Sequence, residues 1–394
     1  MAGSTDCHSF NEIEPPWILP RAAYLHIPFC AHKCGYCDFA SVAGHDDLAD
    51  AYLAALEAEI SRSLAEKAAV NTVFVGGGTP TRLSASQLMQ FCSMVHRYFE
   101  LLPEYEWTIE ANPGTLDEMK LQVLMDQGVN RVSLGAQSFD TKALAALERN
   151  HNPADVYRCV EMLQKAGMAW SLDLIFAAPG TNLMSWENDL KTVLDFNPRH
   201  LSCYGLIYEK GTALWKQLQA GLVTPVDDEI EAEMYEKTIA TLASAGLEQY
   251  EISNYACPGA ECRHNLVYWA NDAYYGFGLG AARYIGGQRA TNIRDLPAYI
   301  RRISENQDVT GPSERLTPEE RARETATLMI RRVKLGIDRA DFSWRTGFSI
   351  DSLAGEAIAR HLAGGLITDD GSCVKLTRRG VMLGDLVAAD FLGE

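Results

Sequence analysis

The chain lacks long apolar runs, and it has few basic residues for its number of acidic ones. No apolar run reaches the ~18 residues that cross a bilayer, and the first 20 residues lack the basic start and apolar stretch of a signal peptide. With 35 Lys and Arg against 52 Asp and Glu, the formal net charge is −17, which disfavours non-specific binding to nucleic acid. These absences predict a cytoplasmic protein with no transmembrane segment and no nucleic-acid partner.

What the chain does have is an apolar content sufficient for a large core, and an alternation of strands and helices. Of its 394 residues, 47% are hydrophobic, which excludes a disordered or fibrous protein. After an N-terminal arm (residues 1–20), short apolar or β-branched stretches predict six strands: Ala22–Ile27, Thr72–Val75, Trp107–Ala111, Arg131–Gly135, Ser171–Phe176 and Leu201–Gly205. Apolar residues at helical spacing predict the helices between and after them: Leu48–Leu64, Ser84–Tyr98, Thr115–Asp126, Pro153–Ala166, Trp186–Phe196 and Asp228–Ala245. The third helix begins with a predicted capping box of Thr115 and Glu118.

This alternation predicts an α/β fold with a parallel sheet. It fits either an open doubly wound sheet or an incomplete (β/α)6 TIM-like barrel over residues 21–250, and both place the loops that follow the strands on one face. Residues 251–310 have an irregular pattern, and Gly311–Arg315 is typical of a linker. Helices followed by a small hairpin then predict a C-terminal helical, winged-helix-like domain over residues 311–394.

Three of the ten cysteines stand together in the loop after the first predicted strand. Cys30, Cys34 and Cys37 form C-x3-C-x2-C, and three thiolates within eight residues can close around one soft metal centre. A zinc site would need a fourth ligand, for which the candidates are His26, His32 and His45. A redox pair of the last two cysteines would leave Cys30 unexplained. The spacing therefore favours an iron–sulfur cluster over both alternatives.

A 4Fe-4S cluster normally takes four cysteinates, and this loop supplies three. One iron is then left for a cofactor whose adjacent amino and carboxylate groups could chelate it. The sequence thus predicts a cluster that also binds a small molecule.

The cysteine loop, with Tyr36 before its last cysteine, resembles that of the radical S-adenosylmethionine (SAM) enzymes. Eight motifs then resemble the HemW family, which is related to the oxygen-independent coproporphyrinogen III oxidase; in chain order they are LHIPFC…KC.YCDF, GGGTPT, EANPGT, SLGAQSF, DLI…PG, YEISNYA, CRHN…YW and LT..G. This resemblance implies an incomplete (β/α)6 barrel with a C-terminal winged segment. It also implies a 4Fe-4S cluster on the three cysteines, and bound S-adenosylmethionine that accepts one electron from it.

Nine residues match positions at or near the SAM of these relatives, and all are expected at strands or loops on the cluster side: Tyr24, Tyr36, Gly77, Gly78, Thr79, Glu110, Gln137, Arg149 and Asp173. The glycines and the threonine match the motif that holds the methionine amino group. Glu110 could accept hydrogen bonds from ribose hydroxyls. The last three match residues that contact SAM in the oxidase, where several of these positions meet a second SAM molecule.

The HNLVYW segment at residues 264–269 carries the candidate heme ligand. His264 could bind heme iron through a neutral imidazole, and the aromatic residues after it could supply flat surface. The HNxxYW pattern resembles the one linked to heme binding in HemW. Cys262 is a rival ligand, because a thiolate also binds heme iron.

Some positions depart from the relatives' patterns. Phe39 stands where the oxidase has a further cysteine, which favours HemW over the oxidase. Glu148, Ala178 and the pair Ala282–Arg283 differ from the usual HemW residues, and the pair could alter a heme or second-cofactor pocket.

Three functions stay open on these residues. The first is a heme chaperone that carries the cluster, SAM and heme, and passes heme to a client hemoprotein such as a membrane respiratory enzyme, with peripheral membrane contact. The second is a radical SAM enzyme, either a coproporphyrinogen oxidase or a methyltransferase. The third is a barrel stabilised by zinc.

Overall fold

A computed structural model describes residues 17–393 of the chain. The expected N-terminal arm over residues 1–20 lies largely outside the described residues, and Cys7 lies there too.

The centre of the fold is a sheet of six parallel strands. In chain order they are β1 (Ala22–Ile27), β2 (Ala68–Gly77), β3 (Phe99–Ala111), β4 (Arg131–Gln137), β5 (Ala169–Phe176) and β6 (His200–Gly205). Each strand pairs in parallel with the next, in the order of the sequence. The parallel α/β fold expected from the sequence is confirmed.

Helices follow the strands: Ala49–Ser63, Ala85–Tyr98, Glu118–Asp126, Thr141–Ala146, Pro153–Lys165, Leu183–Asp195, Ala213–Gln219 and Asp228–Ser244. Short 3-10 turns lie at Asp46–Leu48 and Pro80–Arg82. The apolar faces of strands and helices meet in one large core around buried residues such as Trp107 and Phe91. Because the helices cover the outside of the sheet, its inner face and the loops after the strands are left for a site.

The capping box predicted for the third helix is wrong. The helix begins after Asp117, whose carboxylate accepts a hydrogen bond from the backbone N–H of Lys120. The Thr115 hydroxyl instead donates to the carbonyl of Asn112 and contacts Thr81. Thr115 therefore ties the loop after β3 to the loop after β2.

Two segments that come late in the chain extend the sheet, so the irregular structure expected for residues 251–310 is not found. Tyr275–Phe277 pairs in parallel with β1, and Asn254–Ala256 pairs antiparallel with β6 and with Glu248–Gln249. Between them lies the helix Arg263–Trp269, which we call the histidine helix because it carries His264. In the described chain the sheet ends at Tyr275–Phe277 on one side and Glu248–Gln249 on the other, which leaves the barrel open.

The linker expected at Gly311–Arg315 is a strand instead. Thr310–Arg315 pairs with Gln288–Asn292, which pairs in turn with Ala282–Ile285. A helix, Leu296–Ser304, joins the last two strands of this sheet. Two further pairs of residues, Phe29–Cys30 and Val42–Ala43, form a small parallel ladder in the cysteine loop.

The C-terminal part has the element order of a winged helix: Pro318–Met329, Ile337–Asp338, Arg339–Thr346, Ile350–Ala363, Ile367–Asp369 and Cys373–Leu376. Its three short strands form one antiparallel sheet with the last of them in the centre. The helices Arg378–Met382 and Gly384–Leu392 complete the chain. Over residues 17–393, no helix is both long enough and apolar enough to cross a membrane.

Candidate functional site

The cysteine loop lies at the carboxyl end of β1, where the loops after the other parallel strands also emerge. Cys30, Cys34 and Cys37 are half-buried free thiols, and the Cys37 N–H donates to the Cys34 carbonyl over 3.1 Å. Burial raises the pKa of Cys30, and the two neighbouring thiols add to the rise. The three sulfur atoms therefore share one partly shielded environment.

A polar side chain contacts each of the three sulfur atoms, and two of these side chains come from outside the loop. The Thr79 hydroxyl lies 3.7 Å from Cys30 Sγ, and Arg149 Nη1 donates to Cys34 Sγ over 3.5 Å. Ser41, in the same loop, places its hydroxyl 3.9 Å from Cys37 Sγ. Because hydrogen bonds and nearby positive charge stabilise sulfur that carries negative charge, these neighbours suit thiolate ligands.

Among residues 17–393, no three His, Cys, Asp or Glu side chains are already gathered as ligands around one point. The donor set nevertheless fits a 4Fe-4S cluster, since three soft sulfur donors lie in one loop with polar partners. His26 does not fit the zinc alternative, because its ring nitrogens contact the Tyr24 hydroxyl and the Ala40 carbonyl, both at 3.0 Å. His32 stands 3.3 Å from the Glu148 carboxylate.

The glycine-rich turn after β2 brings the backbone against the site. Gly77 has a φ of +112°, and a Cβ there would overlap the His26 ring, so this position requires glycine. Its N–H donates to Glu110 Oε2 over 3.1 Å. Gly78 donates to the carbonyl of Ile27, and Thr79 to that of Phe29, both over 2.8 Å. The turn is thereby fastened to β1 and to the start of the cysteine loop.

Two half-buried carboxyl groups inside the barrel, those of Glu110 and Asp173, lie near enough for one to affect the pKa of the other. Burial raises the pKa of Glu110 to about 8, and the nearby Asp173 adds to the rise. Burial also raises the pKa of Asp173, although Ser133 donates to both of its oxygens over 3.1 Å and Ser202 supplies a further hydrogen bond. A pair of buried acids can accept hydrogen bonds from ligand hydroxyls or balance a ligand's positive charge.

Gln137 and Arg149 stand together at the end of β4. Gln137 has a φ of +66°, at an irregularity in the pairing of β4 with β5. Arg149 donates to the Gly135 carbonyl over 2.7 Å, and a Cβ on Gly135 would meet both the Gln137 amide and the Arg149 guanidinium. The Arg149 Nε is buried without a hydrogen-bond partner in the described structure. Such an unpaired donor is costly unless a ligand or water meets it.

Two tyrosines complete the predicted set. The Tyr24 ring stacks on Phe74 with a centroid separation of 6.3 Å, and its hydroxyl contacts His26. Tyr36 lies beside Arg149, and burial raises the pKa of both tyrosines. The structure thus places the cysteines and most of the expected SAM residues in the loops and strand ends on the carboxyl side of the sheet, whereas Tyr24 lies nearer the middle of β1, in register with Phe74.

The expected heme ligand is enclosed in the protein. His264 is 1% exposed, and burial lowers its pKa to about 3. Its Nδ1 contacts the Thr72 hydroxyl and its Nε2 the Tyr268 hydroxyl, both at 2.8 Å, while its ring stacks on Phe74. With both nitrogens engaged, His264 in this conformation joins the histidine helix to β2 and has no nitrogen left for iron.

The rival ligand Cys262 is equally enclosed. Its thiol donates to Glu106 Oε1 over 3.5 Å, and burial raises its pKa to about 12. The same carboxylate accepts the backbone N–H groups of Arg263 and His264, each at 3.0 Å. Glu106 therefore caps the histidine helix, a role that only the fold reveals.

Several departures from the family patterns have a visible place. Glu148 has a φ of +55°, which explains why glycine suits this position, and its carboxylate lies against Gly35 of the cysteine loop and Gln217. Phe39 is 65% exposed on the same loop. Arg283 lies in the strand Ala282–Ile285, where it donates to Asn292 and Thr310 over 2.9 and 2.6 Å.

Comparison with known families and proteins agrees with this geometry. Residues 24–193 match the model of the radical SAM superfamily, and residues 316–383 match that of the HemN C-terminal domain. The chain is 38% identical to the heme chaperone HemW of Bacillus subtilis, over 95% of this chain and all of that one. It is 36% identical to HemW of Lactococcus lactis, over 95% of this chain and 97% of that one.

Among solved structures, the coproporphyrinogen III oxidase HemN of Escherichia coli superposes with a TM-score of 0.84. The match covers 96% of this chain and 91% of that one, at 22% sequence identity. At this identity the likeness establishes the fold alone, including the barrel and the C-terminal part.

Proposed function

The chain belongs to the HemW family of heme chaperones in the radical SAM superfamily, and from this premise we propose that it binds heme and transfers it to a client hemoprotein. The observation that carries the proposal is its similarity to HemW proteins along nearly the whole chain. The client we propose is a hemoprotein of the membrane, such as a respiratory enzyme, reached by peripheral contact.

We propose that Cys30, Cys34 and Cys37 hold a 4Fe-4S cluster, as membership of the superfamily implies. Arg149 supports this assignment, because its guanidinium contacts Cys34 and offsets negative charge on sulfur. The Thr79 hydroxyl supports it as well, because it lies 3.7 Å from Cys30 Sγ.

SAM is proposed to lie between the cysteine loop and the buried acids. The glycine-rich turn offers its backbone to the methionine part, and Glu110 and Asp173 accept hydrogen bonds from the ribose. The unpaired Arg149 Nε is a donor for a carboxylate or a hydroxyl. When bound, the cluster supplies one electron to SAM; the protein's own residues orient that cofactor and exclude water around it.

Anaerobic reconstitution followed by a hemin titration tests the proposal. We expect about four iron and four sulfide per chain from the cluster type, and a saturable Soret band. A Cys30→Ala, Cys34→Ala, Cys37→Ala triple variant should lose the iron and sulfide. Cys257→Ala, whose thiol is half-buried elsewhere, is the matched control.

The transfer step needs its own measurement. Heme-loaded protein incubated with an apo-hemoprotein should lose its Soret signal as the acceptor gains one. An absence of heme binding, together with decarboxylation of coproporphyrinogen III or methyl transfer from SAM, would instead establish the enzyme alternative. Zinc bound in place of iron and sulfide would establish the third alternative, a barrel stabilised by zinc.

A further inference from the structure

Glu148 occupies a backbone position that favours glycine, just after the helix Thr141–Ala146. Its φ is +55°, and its backbone N–H donates to the carbonyl of Ala145 over 3.0 Å. The next N–H, that of Arg149, donates to the carbonyl of Leu144 over 2.8 Å. This is the left-handed conformation that ends many helices, and a side chain there costs stability that glycine does not. The backbone alone therefore gives no reason for a glutamate at this position.

The contacts of the Glu148 carboxylate lie on the cysteine loop. A Cβ built on Gly35 would stand 3.0 Å from the carboxyl carbon of Glu148, so the carboxylate lies directly against that glycine. His32 Nε2 lies 3.3 Å from Glu148 Oε2, and Gln217 Nε2 donates to Glu148 Oε1 over 3.4 Å. The Gly35 carbonyl accepts the Leu214 N–H over 2.8 Å. Glu148 thereby joins the cysteine loop to the helix that carries Leu214 and Gln217.

Glu148 and Arg149 place opposite charges beside the middle of the cysteine loop. Gly35 follows Cys34 in the chain, and Arg149 Nη1 donates to Cys34 Sγ over 3.5 Å. The Glu148 side chain is 35% exposed, and across residues 17–393 its one ion-pair partner is His32. An imidazole carries charge only when it is protonated. Glu148 therefore adds to this loop a negative charge that no lysine or arginine cancels by direct contact.

We propose that Glu148 positions the cysteine loop for the 4Fe-4S cluster and lowers the reduction potential of that cluster. This inference rests on the proposed cluster, and it concerns a residue that does not itself bind iron. The contacts with His32, Gly35 and Gln217 hold the loop in place before the cluster is inserted. Negative charge near a cluster opposes the uptake of an electron, so the reduced cluster is a stronger one-electron donor.

Redox titration of the reconstituted full-length protein tests the charge, with dithionite as the reductant and electron paramagnetic resonance as the readout. Glu148→Gln keeps the shape of the side chain and removes its charge. At about pH 8, above the range in which histidine usually carries charge, the reduction equilibrium of this variant should favour the reduced cluster by at least about threefold more than in the wild type. That change is roughly 28 mV for a one-electron couple.

Glu356→Gln is the matched control for this measurement. It removes one exposed carboxylate from the helix Ile350–Ala363 in the C-terminal part, and so changes the net charge by the same amount. Because this carboxylate belongs to a different part of the fold, the potential of the control should equal that of the wild type.

Hydrogen exchange in the cluster-free protein tests the positioning. The Leu214 amide reports whether the loop is docked, because its N–H donates to the Gly35 carbonyl. Glu148→Gly removes the side chain and its contacts, and the Leu214 amide should then exchange at least about fivefold faster. Glu148→Gln keeps groups that can bond His32 and Gln217, so its Leu214 amide should exchange at the wild-type rate.

A wild-type potential in Glu148→Gln would overturn the proposal, and so would a wild-type exchange rate of Leu214 in Glu148→Gly. Lower global stability of either variant, with both of these readouts unchanged, would assign Glu148 a merely structural role. Any of these results leaves the proposed cluster intact. A wild-type protein that takes up no iron and sulfide would instead refute the proposed cluster, and this inference with it.

Discussion

His264 offers the sharpest distinction between a ligand and a structural residue. In the His264→Ala variant, the Thr72 and Tyr268 hydroxyls lose their 2.8 Å partners, and the ring that stacks on Phe74 disappears. Leaving two buried hydroxyls unpaired and opening a side-chain-sized cavity costs about 3–5 kcal/mol in the free energy of unfolding. The loss falls on the contact between the histidine helix and β2.

Urea denaturation of the cluster-free protein, followed by far-ultraviolet circular dichroism, measures this loss. Tyr268→Phe is the partial variant, because it removes one hydroxyl and keeps the imidazole, and it should cost about 1–2 kcal/mol. The double variant His264→Ala, Tyr268→Phe should cost less than the sum of the two single changes, since both remove the same hydrogen bond.

The same variants are then titrated with hemin below their unfolding midpoints. We expect the folded His264→Ala protein to bind hemin with little change in affinity. Unchanged stability together with lost hemin binding would refute this reasoning, and would mean that the imidazole leaves its buried position to bind iron.

Three further outcomes follow from the cofactor site. Burial raises the pKa of Glu110 to about 8, so the folded protein loses stability relative to the unfolded chain as the pH rises from about 4.5 towards 8. Glu110→Gln removes this titration. In that pH range the variant should therefore be more stable than the wild type, and its free energy of unfolding in urea should depend less on pH. Gly77→Ala should reduce SAM affinity by at least about tenfold in equilibrium dialysis, since the new Cβ overlaps the His26 ring and moves the turn. Cys34→Ser should lower the iron content after reconstitution, whereas Cys373→Ser should retain it.

Much of the fold could be predicted because the six central strands are short apolar stretches separated by helical patterns. The sequence pattern predicts Ala22–Ile27 with the bounds that the structure has, whereas β3 begins at Phe99 and its pattern predicts a strand only from Trp107. Glu100 and Glu104 in the first half of β3 hide its strand pattern, since both side chains are exposed to solvent. The three-residue strands that extend the sheet are too short to give any periodic signal.

The candidate site, like the fold, could be predicted only where its signal is local in the sequence. The cysteine spacing and the glycine-rich turn are local patterns, and a sequence shows local patterns directly. The environment of His264 is different, because it depends on Thr72, which lies 192 residues earlier in the chain. A histidine beside aromatic residues suits both an iron ligand and a buried hydrogen-bonding residue, and the hydrogen bond to Thr72 on the neighbouring strand is a contact that no local pattern shows.

The pairing of β1 with Tyr275–Phe277 has a consequence during synthesis on the ribosome. The two segments are separated by 275 − 27 = 248 residues. At ~5–20 residues per second, roughly 12–50 s pass before the second segment exists. Throughout that interval the outer edge of β1 has backbone groups open to other nascent chains. We expect slow translation or early termination before residue 275 to favour aggregation, and a holdase chaperone to be most useful at this stage.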